Sequence, residues 1–136
     1  MIPKRDTADR IYEYMTVVQT MNDNYWKLMG YTHGPANEVD VIFGKKYAKV
    51  VCMNRHYVTG DPAVVGKENT KVAYGQTTVH SFVNMENGDI LKGSWKAPVK
   101  NGVRGNINAD DIGASCINEY GPIYLTGGSK GRKGLI

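Results

Sequence analysis

The chain has 136 residues, of which 41% are hydrophobic and 22% charged, as in a single globular domain and unlike a disordered chain. Its net charge of +4 lies in the last third, because residues 1–90 hold ten basic and ten acidic residues while residues 91–136 hold seven basic and three acidic. No apolar run approaches the ~20 residues of a membrane helix, and no apolar signal segment follows the N-terminus, so we expect a cytoplasmic protein.

The N-terminal stretch has the pattern of an amphipathic helix. Thr7 is a plausible N-cap, Asp9 suits the positive end of the helix dipole, and Gly30 is a natural terminator. The apolar residues that repeat at helical spacing are Ile11, Met15, Val18, Tyr25 and Met29. Residues 22–24, Asn-Asp-Asn, favour a break or kink. The pattern predicts a helix that packs on a sheet.

Four β-rich runs follow, and we expect them to form two hairpins. Alternating residues 39–43 and the run 47–53 predict the first hairpin, and residues 54–70 then read as a long loop. Residues 71–85 and 89–94, joined by Asn87-Gly88, predict the second hairpin with the strongest turn signal in the chain.

The C-terminal third looks less regular. Pro98, Asn101-Gly102 and Gly105 argue against a helix or a central strand over residues 95–105, which we expect to form an irregular basic loop. A short helix over residues 108–119, capped by Asp110 and Asp111, and a short strand near 122–125 are expected next. The predicted fold is therefore α+β. An N-terminal helix packs on an antiparallel sheet of hairpins in a domain of residues 1–126, and residues 127–136 form a Gly/Lys/Arg tail.

The sequence contains few of the patterns that accompany catalysis. The three histidines, His33, His56 and His80, are widely separated, and Cys52 and Cys116 lack the CxxC spacing of a metal or redox site. There is no GxSxG nucleophile motif, and the glycine-rich residues 127–132 do not match a Walker phosphate loop. We therefore expect no enzyme activity, no metal and no cofactor.

The segment 90–107 has the parts of a nucleotide site. Its cations Lys92, Lys96, Lys100 and Arg104 recur every four residues beside Trp95, and Phe82 precedes them on the predicted strand. Aromatic faces stack bases, whereas cations and backbone N–H groups hold phosphates, and Asn106 is suited to a ribose or a base edge. The alternative is that Trp95 and Phe82 are core residues and the lysines a solvated surface.

Residues 79–107, VHSFVNMENGDILKGSWKAPVKNGVRGNI, resemble a block found in small tailed-phage proteins. Within that group the block is similar to the anti-Thoeris sponge proteins of the first type, which sequester cyclic ADP-ribose isomers and in some cases cyclic oligonucleotides. The resemblance implies a non-catalytic homo-oligomer in the cytoplasm of the infected host, with nucleotide pockets at subunit interfaces. It also implies that Phe82 stacks the base and Arg104 meets the pyrophosphate, with Lys92 and Asn106 as further ligand contacts. Arg55 and His56 become candidates for a second, phosphate-facing site.

Two other functions remain open from the sequence. Nine tyrosines, two tryptophans and a basic tail also suit a single-stranded nucleic-acid-binding protein. However, residues 1–128 carry a net charge of only +1, which favours a compact pocket over a groove that follows a strand. A virion structural or assembly protein, with aromatic residues and the tail in protein–protein contacts, is the third alternative.

Overall fold

The computed structural model describes residues 5–58, 71–94 and 96–123. One helix precedes a five-stranded antiparallel sheet, which confirms the α+β prediction. The elements in chain order are α1 (Arg5–Met29), β1 (Glu38–Phe43), β2 (Tyr47–Tyr57), β3 (Val72–Asn84), β4 (Asp89–Gly93), β5 (Pro98–Asn106), a 3₁₀ turn (Ala114–Cys116), β6 (Ile117–Asn118) and β7 (Gly121–Pro122). The predicted tail, residues 127–136, lies outside the described residues.

Helix α1 is longer at its start than predicted and has no break. It begins at Arg5, so Thr7 lies in the first turn and is not the N-cap. The helix also continues through residues 22–24. Asn22 is buried there, and its side-chain amide donates to the carbonyl of Val18 (2.9 Å), so its polar group is satisfied within the helix. Gly30 ends the helix as predicted, with a left-handed φ of 68°.

The sheet has its strands in chain order, so each strand pairs with the next one along the chain. Both predicted hairpins are present: Val41 pairs with Val50 in the first, and Val83 pairs with Ile90 in the second. The loop predicted to begin at Asn54 begins later, because β2 extends to Tyr57 and pairs there with the start of β3. Most of that predicted loop, residues 59–70, lies outside the described part.

The basic segment is a strand, which corrects the prediction of an irregular loop over residues 95–105. Among the described residues, strand β5 pairs with β4 alone, so it forms an edge of the described sheet. Pro98 is its first residue, a position that a proline tolerates because no ladder hydrogen bond is lost. Two register shifts interrupt the pairing with β4, near Leu91, and these irregularities accommodate the glycines of β5.

One face of the sheet packs against α1 and contains the main apolar core. From the helix, Ile11, Tyr14 and Val18 are fully buried. The sheet residues of the same cluster are Val39, Ala48, Val50, Cys52, Val83, Met85 and Ile90, joined by Ile107 and Ile117. Each fully buried aliphatic side chain contributes about 1.5–3 kcal/mol, so this cluster is the main source of stability among the described residues.

The segment after β5 is folded differently from the predicted helix over residues 108–119. It consists of turns, the 3₁₀ turn and the small β6–β7 hairpin. Asp111 stabilises these turns, since its carboxylate accepts hydrogen bonds from the backbone N–H of Gly113 (3.0 Å) and of Ser115 (2.9 Å). These bonds with Ser115 and Gly113 hold the pKa of Asp111 below its usual value. Strand β7 shares only Pro122 with the strand predicted near residues 122–125, of which residues 124 and 125 lie outside the described part.

Candidate functional site

Phe82 is buried on the second face of the sheet, the face opposite α1. Its neighbour Val83 belongs to the helix-side core, and successive residues of a strand point to opposite faces. The Phe82 side chain is only 3% exposed, and its ring covers Gly93 closely enough that an added Cβ at Gly93 would overlap it. An edge-to-face contact with Tyr47 (ring centroids 6.2 Å apart) holds the ring further. A base that stacks on this ring must displace neighbouring atoms.

Apart from Lys96, the described residues of the predicted pocket do not gather around Phe82. Lys92 lines a different cavity, together with His80 and Asn118. Arg104 is half-buried on β5, and one of its guanidinium nitrogens donates to the carbonyl of Val103 (3.2 Å). Trp95 lies outside the described residues. Among the described site residues, only Phe82 and Lys96 border the same cavity.

Asn106 fastens the ends of two strands together. Its side-chain amide nitrogen donates to the carbonyl of Asn87 (2.9 Å) and to the carboxylate of Asp89 (3.0 Å). Its side-chain oxygen accepts from the backbone N–H of Asn108 (2.7 Å). Since both ends of the amide are engaged within the protein, Asn106 holds the β3–β4 turn against the end of β5.

Arg55 and His56 lie at the far end of β2. Arg55 is half-buried, donates from Nε to the carbonyl of Ala36 (2.7 Å) and pairs with Glu38 (3.6 Å), so it connects β2 to the segment before β1. His56 is exposed. Six residues of strand separate Arg55 from Lys49, the partner of Phe82 in the sheet, which is roughly 20 Å at about 3.3 Å per residue. These two residues therefore belong to a separate surface.

The structure brings four lysines together that the sequence interpretation did not combine. They surround a cavity of about 370 Å³ on the second face of the sheet, which we call the lysine cavity. Its lining residues are Ile42, Gly44, Lys45, Lys46, Tyr47, Lys49, Phe82, Lys96, Ala97 and Pro98. Lys45 and Lys46 come from the β1–β2 turn and Lys96 from the β4–β5 connection. None of these described lining residues is acidic, so the cavity carries a concentrated positive charge.

Two lysine ammonium groups of this cavity lie near aromatic rings. The Nζ atom of Lys46 is 5.5 Å from the ring centroid of Tyr47, and the Nζ atom of Lys49 is 5.9 Å from that of Phe82. Both distances fall within the ~6 Å range of a cation–π contact. The rings therefore hold ammonium groups at the cavity, and this arrangement suits an anionic group with an adjoining apolar or aromatic part.

A buried polar chain connects α1 to the β6–β7 hairpin on the other face. The Nε2 atom of His80 lies 2.8 Å from the carbonyl oxygen of Asn118, which only accepts, so Nε2 carries the proton. In the neutral ring Nδ1 is then the acceptor, and the hydroxyl of Ser81 donates to it (2.8 Å). The hydroxyl of Tyr14 donates in turn to Ser81 Oγ (2.6 Å). Burial lowers the pKa of His80 to about 4, so the ring is neutral at pH 7.

A second cavity, of about 300 Å³, lies between the end of α1 and the β6–β7 hairpin, and we call it the aromatic cavity. Its lining residues are Asn22, Tyr25, Trp26, Asn37, Cys52, Thr78, Val79, His80, Glu119 and Tyr120.

In the described part of the chain, no group of three His, Cys, Asp or Glu side chains is placed to hold a metal ion. No helix in that part of the chain is both long enough and apolar enough to cross a membrane.

Comparison with protein families gives a match over residues 6–123 to a family described as "Family of unknown function (DUF7717)". The chain belongs to this family. No curated protein and no solved structure matches this chain. The matched range of this DUF7717 member includes α1 except for Arg5, the five-stranded sheet and the residues of both cavities.

The sequence contained a signal for each cavity. Lys45, Lys46 and Lys49 are close in the chain, but their charges are balanced by acidic residues elsewhere in residues 1–90, so the net charge points to the last third. The aromatic cavity has a dense aromatic run over residues 25–33, which contains Tyr25, Trp26 and Tyr31. Neither signal identifies the partner side chains, because these come from strands and turns distant in the sequence.

Proposed function

We propose that this protein binds a small phosphate-bearing ligand in the lysine cavity and sequesters it without turnover. The observation that carries the proposal is the gathering of Lys45, Lys46, Lys49 and Lys96 around one cavity with no acidic residue among its described lining. Ammonium groups satisfy phosphate oxygens by charge-assisted hydrogen bonds, which are about twice as strong as neutral ones. The cavity volume of about 370 Å³ lies within the range of small-molecule sites, about 300–1,000 Å³.

A nucleotide is the ligand class that suits this cavity best. Tyr47 is half-buried at the cavity and offers aromatic surface beside the lysines, as a base or nucleoside requires. The resemblance of residues 79–107 to phage sponge proteins narrows the proposal to a cyclic signalling nucleotide of bacterial immunity. In that case the protein acts as an anti-defence protein in the host cytoplasm, as a homo-oligomer whose second subunit completes the pocket.

Isothermal titration calorimetry with a graded set of ligands tests the proposal. A cyclic ADP-ribose isomer, a cyclic dinucleotide and AMP are compared with adenosine, which has the base and sugar of AMP and no phosphate. We expect the phosphate-bearing ligands to bind and adenosine to bind at least about tenfold more weakly, since hydrogen bonds to charged groups contribute about 1.5–3 kcal/mol. Chromatography of the incubated nucleotide is expected to return it unchanged.

A matched pair of double variants assigns the binding to the cavity. K45Q/K46Q removes two charges from the cavity rim, and K27Q/K71Q removes two exposed charges from the end of α1 and the start of β3. Only the first is expected to weaken nucleotide binding. Equal affinity of both variants, equal affinity for AMP and adenosine, or no binding of any nucleotide contradicts the proposal. Tight binding of an oligonucleotide that all three nucleotides fail to displace would favour the nucleic-acid alternative.

A further inference from the structure

The aromatic cavity has more aromatic rings in its lining than the lysine cavity, and its charged side chain is acidic. Its three large rings are held in place by hydrogen bonds. The hydroxyl of Tyr120 donates to that of Tyr25 (2.8 Å), with the ring centroids 5.6 Å apart. The indole N–H of Trp26 donates to the carbonyl of Gly34 (2.8 Å), and Tyr31 packs on the indole at 4.6 Å. Because these contacts restrict the movement of the rings, a ligand that binds between them has less side-chain order to impose.

Gly34 explains how the loop after α1 reaches the indole. A Cβ at this position would overlap the backbone of Arg55 and His56, so only glycine permits the close approach of residues 31–37 to β2. The backbone N–H of Tyr57 donates to the carbonyl of His33 (2.8 Å) and fixes the same loop. The aromatic wall is therefore part of the folded framework.

Glu119 gives this cavity a negative charge. It is half-buried, borders the aromatic cavity and a neighbouring one, and forms no ion pair or side-chain hydrogen bond with any described residue. No lysine or arginine is among the described lining residues. Burial keeps His80 and Cys52 of the lining neutral at pH 7, because it lowers the pKa of His80 to about 4 and raises that of Cys52 to about 11.

We propose that the aromatic cavity is a second binding site, and that its ligand is a small organic cation such as an alkylated ammonium group. Aromatic faces attract cations through their quadrupoles, most strongly for tryptophan, and the Glu119 carboxylate adds a direct opposite charge. An anion meets repulsion from Glu119 and no lysine or arginine among the described lining residues. The volume of about 300 Å³ suits a small ligand.

The test compares choline with 3,3-dimethyl-1-butanol, which has the same shape and no charge. Ligand-observed NMR titration of the full chain measures both affinities at equal ionic strength. We expect choline to bind about 2- to 30-fold more tightly than the neutral alcohol, the range that corresponds to a cation–π contribution of a partly to fully desolvated site. Equal affinities, or no choline binding at millimolar concentration, overturn the proposal.

Two variants locate the choline site. E119Q keeps the size of the side chain and removes the cavity charge, whereas E86Q removes an exposed charge from the β3–β4 turn. We expect E119Q to weaken choline binding about 1.5- to 5-fold, the range of a solvent-accessible ion pair, and to leave the alcohol unaffected, while E86Q changes neither. Y120L removes one ring and is expected to weaken choline binding as well. Identical choline affinities of E119Q and E86Q overturn the assignment, provided that circular dichroism shows both to be folded.

Discussion

Acidification from pH 7 to pH 5 is expected to destabilise the protein through His80. The imidazole is 3% exposed and joins Tyr14, Ser81 and Asn118 in one chain of hydrogen bonds. A proton added at Nδ1 places a donor against the hydroxyl of Ser81, which must then turn its own O–H away from Nδ1, so that this O–H loses its buried acceptor. Protonation therefore adds a buried charge and breaks the order of the chain.

The size of the effect follows from the pKa of His80. Burial lowers this pKa from 6.5 to about 4, so the unfolded chain binds the proton more tightly than the folded protein between those values. The free energy of unfolding consequently falls as the pH falls through this window. Linkage gives a loss of about 2 kcal/mol between pH 7 and pH 5, and of roughly 3 kcal/mol once the pH is below both values.

Urea unfolding followed by circular dichroism at pH 7, 6 and 5 measures this loss. At a slope of about 1–3 kcal/mol per molar urea, the midpoint should fall by about 1 M between pH 7 and pH 5. H80Q does not titrate and should lose much less stability over the same range, whereas H56Q, at an exposed histidine, should behave as the wild type. If the wild type and H80Q lose equal stability, or if NMR shows His80 titrating near 6.5, the reasoning is refuted.

Two further predictions concern the packing around Gly93 and the reactivity of Cys52. G93A should lower the free energy of unfolding by about 1–3 kcal/mol, because the added methyl group overlaps the ring of Phe82. G75A should change it much less, because a Cβ added there lies 3.3 Å from its nearest neighbouring atom, the side-chain oxygen of Asn54. Calorimetry compares the two variants, and equal melting temperatures would contradict the packing of Phe82 on Gly93. In a C116S variant, Cys52 should react with a thiol reagent at neutral pH much more slowly in the folded protein than in urea, because burial raises its pKa to about 11 and leaves little thiolate. Equal labelling rates in the two states would contradict the raised pKa.

The helix and both hairpins were predictable because their signals are local. The apolar spacing of α1 and the Gly30 terminator depend on neighbouring residues, as does the Asn87-Gly88 turn. Strand β5 was missed because Pro98 and the glycines argue against a strand in the middle of a sheet. They are tolerated at an edge that begins with the proline and has an irregular register, and the sequence does not reveal which strand lies at the edge.

The role of His80 was not predictable for a different reason. Around His80, β3 contains one more residue than β2, since Val50 pairs with Ser81 but Val51 pairs with Val79. This bulge directs both His80 and Ser81 toward Tyr14, and the other partner of the imidazole is Asn118, 38 residues further along the chain. The spacing of residue types in the sequence reveals neither the position of this bulge nor the carbonyl group that accepts from His80.

The charges of the two cavities also limit how a nucleic acid can bind. The lysine cavity offers four cations, whereas the aromatic cavity presents Glu119 and, in its described lining, no lysine or arginine. A single strand that reaches only the lysine cavity releases counterions from at most four phosphate contacts. The logarithm of its affinity should then fall with the logarithm of salt concentration with a slope of about −3 or shallower. We expect fluorescence anisotropy with labelled oligonucleotides to show this slope, and K45Q/K46Q to reduce its magnitude by about half. A steeper slope that K45Q/K46Q leaves unchanged would show that oligonucleotides bind through other cations.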